Sequence, residues 1–192
     1  MPRSFQRLFL ALVALVPFVA GCQATQDVET LFLPDREDWK RVHAADDGHQ
    51  TVVEFVPQGQ ELAAWRELIT VQGLDDRRPR EAPTKTMGAL RDAMRARGGK
   101  LEWSVIEESA DSVLYEWTLA GAPGIEDQGE LARLVLGKDA MHRAAYAYKG
   151  LPLAPERRAD RLALLRNARV VKGAKEAQAA IEEFFPEYRK SP

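Results

Sequence analysis

Four side chains in the second half of the chain are of types that do chemistry together: Glu130, Arg133, His142 and Tyr146. They sit on two largely apolar runs, Glu130 to Leu136 and Ala140 to Tyr148, separated by Gly137-Lys138-Asp139. Two such runs around a glycine-containing turn read as a β-hairpin. With a three-residue loop, Leu134 pairs with His142 and Glu130 with Tyr146. With a two-residue loop at Lys138-Asp139, Val135 pairs with His142 and Arg133 with Ala144. Side chains alternate between faces along a strand, so both registers place His142 and Tyr146 on one face, beside either Glu130 or Arg133. An acid, a histidine and a tyrosine held on a rigid sheet can bind a polar ligand or move a proton. The same residues equally make a polar sheet surface, or a hydrogen-bonded cluster under a loop.

Other reactive groups are sparse. The remaining histidines, His43 and His49, are not at helical i, i+4 spacing and lack a carboxylate at a recognised ligand spacing, so no metal site is expected. Ser104, Ser109, Ser112 and Ser191 all lack the glycine-flanked context of a nucleophile elbow. The glycines of Gly121 to Gly129 are not followed by the lysine and helix of a phosphate loop, and no cofactor is expected. Trp39, Trp65, Trp103 and Trp117 occupy segments with apolar periodicity. They serve either as core or as the lining of an apolar pocket.

The one cysteine, Cys22, has the most specific context in the chain. Arg3 and Arg7 precede an uncharged run from Leu8 to Ala20, and small residues precede the cysteine in Val19-Ala20-Gly21-Cys22. A basic start, a short apolar core and small residues before a cut site describe a secretory signal. The run is too short for a membrane span, which needs about 20 apolar residues. The segment resembles the lipobox of bacterial lipoproteins. That resemblance implies cleavage before Cys22, a diacylglyceryl group on its thiol and an acyl group on its freed amine. Residues 1–21 are then a signal peptide, 22–30 a lipidated N-terminus and tether, and 31–192 one α+β domain. Gln23, standing where aspartate marks inner-membrane retention in enteric-type sorting, points to the outer membrane with the domain facing the periplasm.

Removing the first 21 of 192 residues takes away two arginines and no acid, leaving 25 basic and 29 acidic residues and a net charge of −4. Signs are interleaved, so no nucleic-acid partner is implied. Arg77-Arg78-Pro79-Arg80 and the run from Arg91 to Arg97 read as solvated faces. With Cys22 acylated no thiol is left for a disulfide, so the domain rests on its hydrophobic core, which about 170 residues can supply.

Elements follow from periodicity. Leu31-Phe32-Leu33 before Pro34 suggests an edge strand. Trp39 to Ala44 and Gln50 to Pro57 flank Asp46-Asp47-Gly48 as a hairpin. Leu62, Trp65, Leu68 and Ile69 suggest a helix over 60–72, stopped by Gly73. Met87, Leu90 and Met94 suggest another over 84–97. Leu101, Trp103 and Val105 alternate with polar residues, as do Val113, Tyr115, Trp117 and Leu119. A hairpin pairing Trp103 with Tyr115 and Leu101 with Trp117 collects one aromatic face. A helix is expected over 156–170 with Ala159, Leu162, Leu165 and Ala168 inward, and a last one over 176–185.

Strands grouped apart from helices indicate an α+β fold: an antiparallel sheet of about five or six strands with helices on one face or both. The order of elements resembles that of the thylakoid protein PsbP and of the Ran-releasing factor that shares its fold. The FVPQGQ segment, the tryptophan-containing segment after it and the His–Tyr hairpin also resemble a set of uncharacterised exported bacterial proteins. Neither resemblance implies an activity. The expectation is a non-enzymatic envelope lipoprotein, held to the membrane through Cys22, whose domain is structural or binds a protein or other cell-envelope component. The alternative is a carrier or sensor of a small amphiphile between helices and sheet. A third is an envelope enzyme using His142, Tyr146 and Glu130.

Overall fold

The computed structural model describes residues 28–35, 37–74 and 81–185. The leader, the lipobox with Cys22, the Arg77–Arg80 stretch and the residues after Phe185 lie outside them. The described residues fold as α+β. Seven strands form one antiparallel sheet in the order β2-β3-β4-β8-β7-β6-β5. These are β2 (Trp39–Asp46), β3 (Gln50–Pro57), β4 (Glu67–Leu74), β5 (Lys100–Glu108), β6 (Ser112–Ala120), β7 (Gln128–Leu136) and β8 (Met141–Lys149). Strands β1 (Glu29–Phe32) and β9 (Arg169–Lys172) pair as a separate antiparallel ribbon. The helices are α1 (Pro83–Arg95), α2 (Pro155–Arg166) and α3 (Gly173–Phe184).

The sheet has one strand more than the upper expectation because 60–72 is not a helix. After a single 3-10 turn at Leu62–Ala64 the chain runs straight into β4. Leu68 and Ile69 point to opposite faces and both are buried. A strand covered on both sides shows a short continuous apolar run that periodicity alone does not separate from a helix. The β-branched run Ile69-Thr70-Val71 favours the strand, where χ1 restriction costs least. The expected helix over 156–170 likewise ends early, at Arg166. Val170 and Val171 instead join β9, which pairs with β1. Ala159 is exposed, while Arg161 and Leu164 are buried. Glu29 and Thr30, assigned to the tether on polarity, belong to β1.

The β5–β6 hairpin keeps Leu101 and Trp103 on their expected face, but its register shifts and Val105, expected inward, is exposed. Trp103 pairs with Trp117 and Leu101 with Leu119, and a bulge lies between Val105 and Glu107. A shift of two residues leaves every side chain on its original face, so alternation could not distinguish the two registers. The bulge and a tight turn closed by Ser109 N–H on the Ser112 carbonyl at 2.8 Å set the observed one. Trp103 still meets Tyr115, stacked diagonally with ring centroids 4.9 Å apart.

Each face of the sheet has its own core. On one, Val113, Tyr115, Trp117, Leu119, Leu134 and Ala145 pack under Met87, Leu90 and Met94 of α1. On the other, Leu114, Leu131, Ala144 and Tyr146 pack under Leu162 and Leu165 of α2, with Leu31 of β1 and Ala168 closing the edge. Gly129 on β7 pairs with Tyr148, whose ring lies over it. A Cβ there would come within 2.4 Å of the phenol oxygen and 3.0 Å of the Trp117 carbonyl. Gly129→Ala is therefore expected to lower stability by about 1–3 kcal/mol through overpacking, read from urea midpoints. An unchanged midpoint would show that Tyr148 swings away freely.

Candidate functional site

The β7–β8 hairpin takes the two-residue-loop register: Val135 pairs with His142, Arg133 with Ala144 and Leu131 with Tyr146. This divides the four candidate residues. Arg133, His142 and Tyr146 share the α2 face, while Glu130, opposite Ala147, points to the α1 face. Tyr146 and His142 are four residues apart on one strand, a separation of about 13 Å. An acid, a histidine and a tyrosine acting on one substrate must converge, and these do not.

Each instead has a partner of its own. Glu130 lies in a buried network on the α1 face. It accepts hydrogen bonds from Arg143 Nη2 at 2.5 Å and from Trp117 Nε1 at 3.0 Å. Arg143 also donates to Gln72 Oε1 at 2.7 Å and to the Tyr115 hydroxyl at 3.3 Å. Burial pushes the Tyr115 phenol up to about 12. Arg133 is the cap of α2. Its Nη1 donates to the carbonyls of Leu165, Arg166 and Ala168 at 3.1, 2.6 and 3.1 Å, while its Nε donates to Ser112 Oγ at 3.0 Å. A cation at those C-terminal carbonyls complements the helix dipole.

His142 is 2 % exposed and its Nε2 lies 3.4 Å from Glu29 Oε2. The same carboxylate accepts the backbone N–H groups of Lys138 and Asp139 at 3.0 and 2.8 Å, which locks the first residue of β1 onto the β7–β8 turn. Gly137 leaves room for it, since a Cβ there would come within 2.4 Å of Glu29 Oε2 and 2.9 Å of His142 Nε2. Burial raises the Glu29 carboxyl, but the two backbone donors and His142 outweigh it and hold the group below its ordinary 4.5. Burial lowers His142 below its ordinary 6.5, a shift that Glu29 only partly reverses.

Tyr146 is fully buried, its phenol pushed up to about 12 by desolvation. It therefore keeps its proton near neutrality and is not a phenolate base. Above it sit two arginines one helical turn apart on α2. Arg157 donates to the Tyr146 hydroxyl at 3.3 Å and pairs with Glu37 and Glu67. Its guanidinium holds the Glu37 carboxyl below the usual range. Arg161 is 2 % exposed, lies over the rings of Tyr146 and Trp39 at 5.1 and 5.4 Å, and donates to Asp35 Oδ2 at 2.7 Å. Its Nε has no hydrogen-bond partner among the described residues. Stacked between two rings, that edge gains a cation–π contact instead. This Asp35–Glu37–Glu67–Arg157–Arg161 cluster was not anticipated. The available signal was Arg157 and Arg161 at i, i+4 on an expected helix, but nothing local places carboxylates ninety or more residues away beside them.

Trp65, Trp103 and Trp117, the expected pocket lining, do not line a common pocket. Trp103 and Trp117 pair in the α1-side core, and Trp65 lies under the Lys149 ammonium at 4.8 Å. Open space lies instead on either side of the β1–β9 ribbon. One cleft, of about 430 Å³, is lined by polar and charged residues including Glu29, Lys138, Lys172 and Glu176. The other, of about 400 Å³, runs between the ribbon and the β2–β3–β4 end of the sheet. Phe55, Ile69 and Val71 form its floor, with Leu31 and Val171 on one side and Ala177 of α3 above. Trp39, Asp35, Glu37 and Asp38 close one end. No three His, Cys, Asp or Glu side chains among the described residues are grouped to hold a metal.

No protein-family model and no curated protein matches the chain. Among solved structures, the chain is similar to the Ran-binding protein Mog1p of Saccharomyces cerevisiae, with a TM-score of 0.37 and 11% identity over 79% of this chain and 93% of that one. A point mutant of Mog1 gives 0.36 and 11%, over 78% and 92%. Both are Mog1 rather than PsbP.

Two consequences are measurable. As pH falls below about 6.5, the unfolded chain takes up a proton at His142 before the folded one does. Stability present above that value is lost as pH falls toward the depressed folded value. Below about 4.5 the unfolded chain protonates Glu29 first, and a further loss follows. Urea midpoints across pH 4–8 should show the upper loss in the wild type and not in His142→Gln; equal slopes would contradict the assignment. Glu130→Ala, which strands the Arg143 guanidinium, should cost about 3–5 kcal/mol. A cost under about 1 kcal/mol would mean that Arg143 finds water.

Proposed function

We propose that this chain is a lipid-anchored, non-enzymatic binding domain of the bacterial cell envelope, held at the outer membrane and facing the periplasm. The observation that carries this reading is Val19-Ala20-Gly21-Cys22 at the end of an uncharged run that follows two arginines. Acyl chains stabilise membrane attachment by about 0.8 kcal/mol per buried CH₂, so several chains on one cysteine give a lasting anchor. The positions of the polar side chains support binding rather than turnover. Glu130, His142 and Tyr146 are each committed to a different structural contact. The partner is either an envelope protein or a small amphiphile, and the apolar cleft beneath the β1–β9 ribbon favours the amphiphile.

The anchor is tested directly. Intact mass of the protein isolated from membranes should show a mature chain starting at an acylated Cys22, and Cys22→Ser should move the protein out of the membrane fraction. A Cys22 with no added mass would overturn the reading.

A further inference from the structure

The cleft between the β1–β9 ribbon and the sheet has an uneven distribution of free polar groups. Its floor and sides are aliphatic and aromatic, from Phe55, Ile69, Val71, Leu31 and Val171. At its closed end the described arginines are engaged by acids and rings. Arg161 is spent on Asp35, Glu37 and two rings, and Arg157 on Glu37, Glu67 and Tyr146. Asp35 is equally occupied, accepting from Trp39 Nε1 at 2.9 Å, from Arg161 and from the Glu37 backbone N–H. Asp38 differs. It is exposed, and among the described residues its carboxylate meets Gln58 Nε2 alone, at a long 3.5 Å. The cleft therefore offers an apolar trough that ends, among the described residues, in an acceptor paired with no cation. An anionic head would meet carboxylates there, whereas an ammonium would meet an acceptor and the rings of a Trp39 end wall. A volume of about 400 Å³ lies in the range of small-molecule sites.

Resting on the binding reading above, we infer that this cleft holds a single-chain amphiphile with a cationic amine head, its chain along Phe55, Ile69 and Val71 and its ammonium at Asp38. Ala177, half-buried on the outer helix α3, faces the trough and can be enlarged without touching either core of the seven-stranded sheet.

The test uses the mature-length chain with Cys22→Ser, which retains every described residue and carries no acyl chain of its own. Decylamine, decanol and decanoate, which share one tail, are titrated by calorimetry below their aggregation limits. Decylamine should bind about tenfold more tightly than decanol, and decanoate should bind more weakly still. Asp38→Asn should remove most of the amine's advantage and leave decanol unchanged. Ala177→Phe should weaken decylamine and decanol alike by tenfold or more, with an unaltered near-ultraviolet circular dichroism spectrum. Equal binding of decanoate and decylamine, or full affinity in Ala177→Phe, overturns the assignment. So does saturable binding of an apolar peptide when none of the three amphiphiles binds. The same amine binding abolished in the acylated protein from membranes would place its own acyl chain in the cleft, and also overturns it. These titrations are independent of the mass of Cys22, so failure of the ligand and failure of the anchor are told apart.

Discussion

The ladder between β4 and β8 holds the rest of the structure in place. It joins the first meander, β2-β3-β4, to the second, β5-β6-β7-β8, across about seventy residues of chain. Every other neighbouring pair in the large sheet, apart from β4 with β8, is a hairpin between consecutive strands. The register across this one joint sets Ile69 opposite Tyr146, Gln72 opposite Arg143 and Gly73 opposite His142. A slip of one residue would exchange the two faces of an entire meander.

Charged side chains reinforce that joint from both sides. On the α1 face, Arg143 of β8 reaches Gln72 of β4 and Glu130 of β7. On the α2 face, Arg157 ties Glu67 of β4 to Glu37, and Arg161 ties Asp35 to Tyr146 of β8. Removing such groups from water costs several kcal/mol per ion, and their attraction repays it only when the remaining donors and acceptors are also satisfied. Nearly all are. Buried pairs of this kind contribute little net stability, but they penalise any register that would leave an arginine without its acid.

The β1–β9 ribbon is attached differently. It shares no ladder with the seven-stranded sheet; it rests on Leu31, Val171 and the hold of Glu29 on the β7–β8 turn. Standing off from the sheet, it leaves a cleft on either side. The open space that matters for ligand binding thus arises where hydrogen-bonded pairing stops.

Much of this was legible in the residues. Alternation in Leu101–Trp103 and Val113–Leu119 identified a hairpin and its buried face, though Val105 is exposed, and Asp46-Asp47-Gly48 identified another. Spacing identified α1, and the grouping of strands and helices gave the α+β class. The Val19–Cys22 motif, read through arginines, apolar length and small residues, lies outside the described residues and remains a reading of sequence. Local pattern failed where two arrangements satisfy it equally. A two-residue shift in β5–β6 preserves the faces, a doubly covered strand such as β4 has the same apolar run as a helix segment, and both β7–β8 registers put His142 beside Tyr146. Tertiary structure decided these because each depends on residues distant in sequence: β8 beside β4, the Glu29 carboxylate at the 137–139 turn, and the Asp35 and Glu37 acids against α2. For the same reason the four candidate polar residues dispersed into four separate contacts. Their type was set by the sequence, but their partners were set by packing across the sheet.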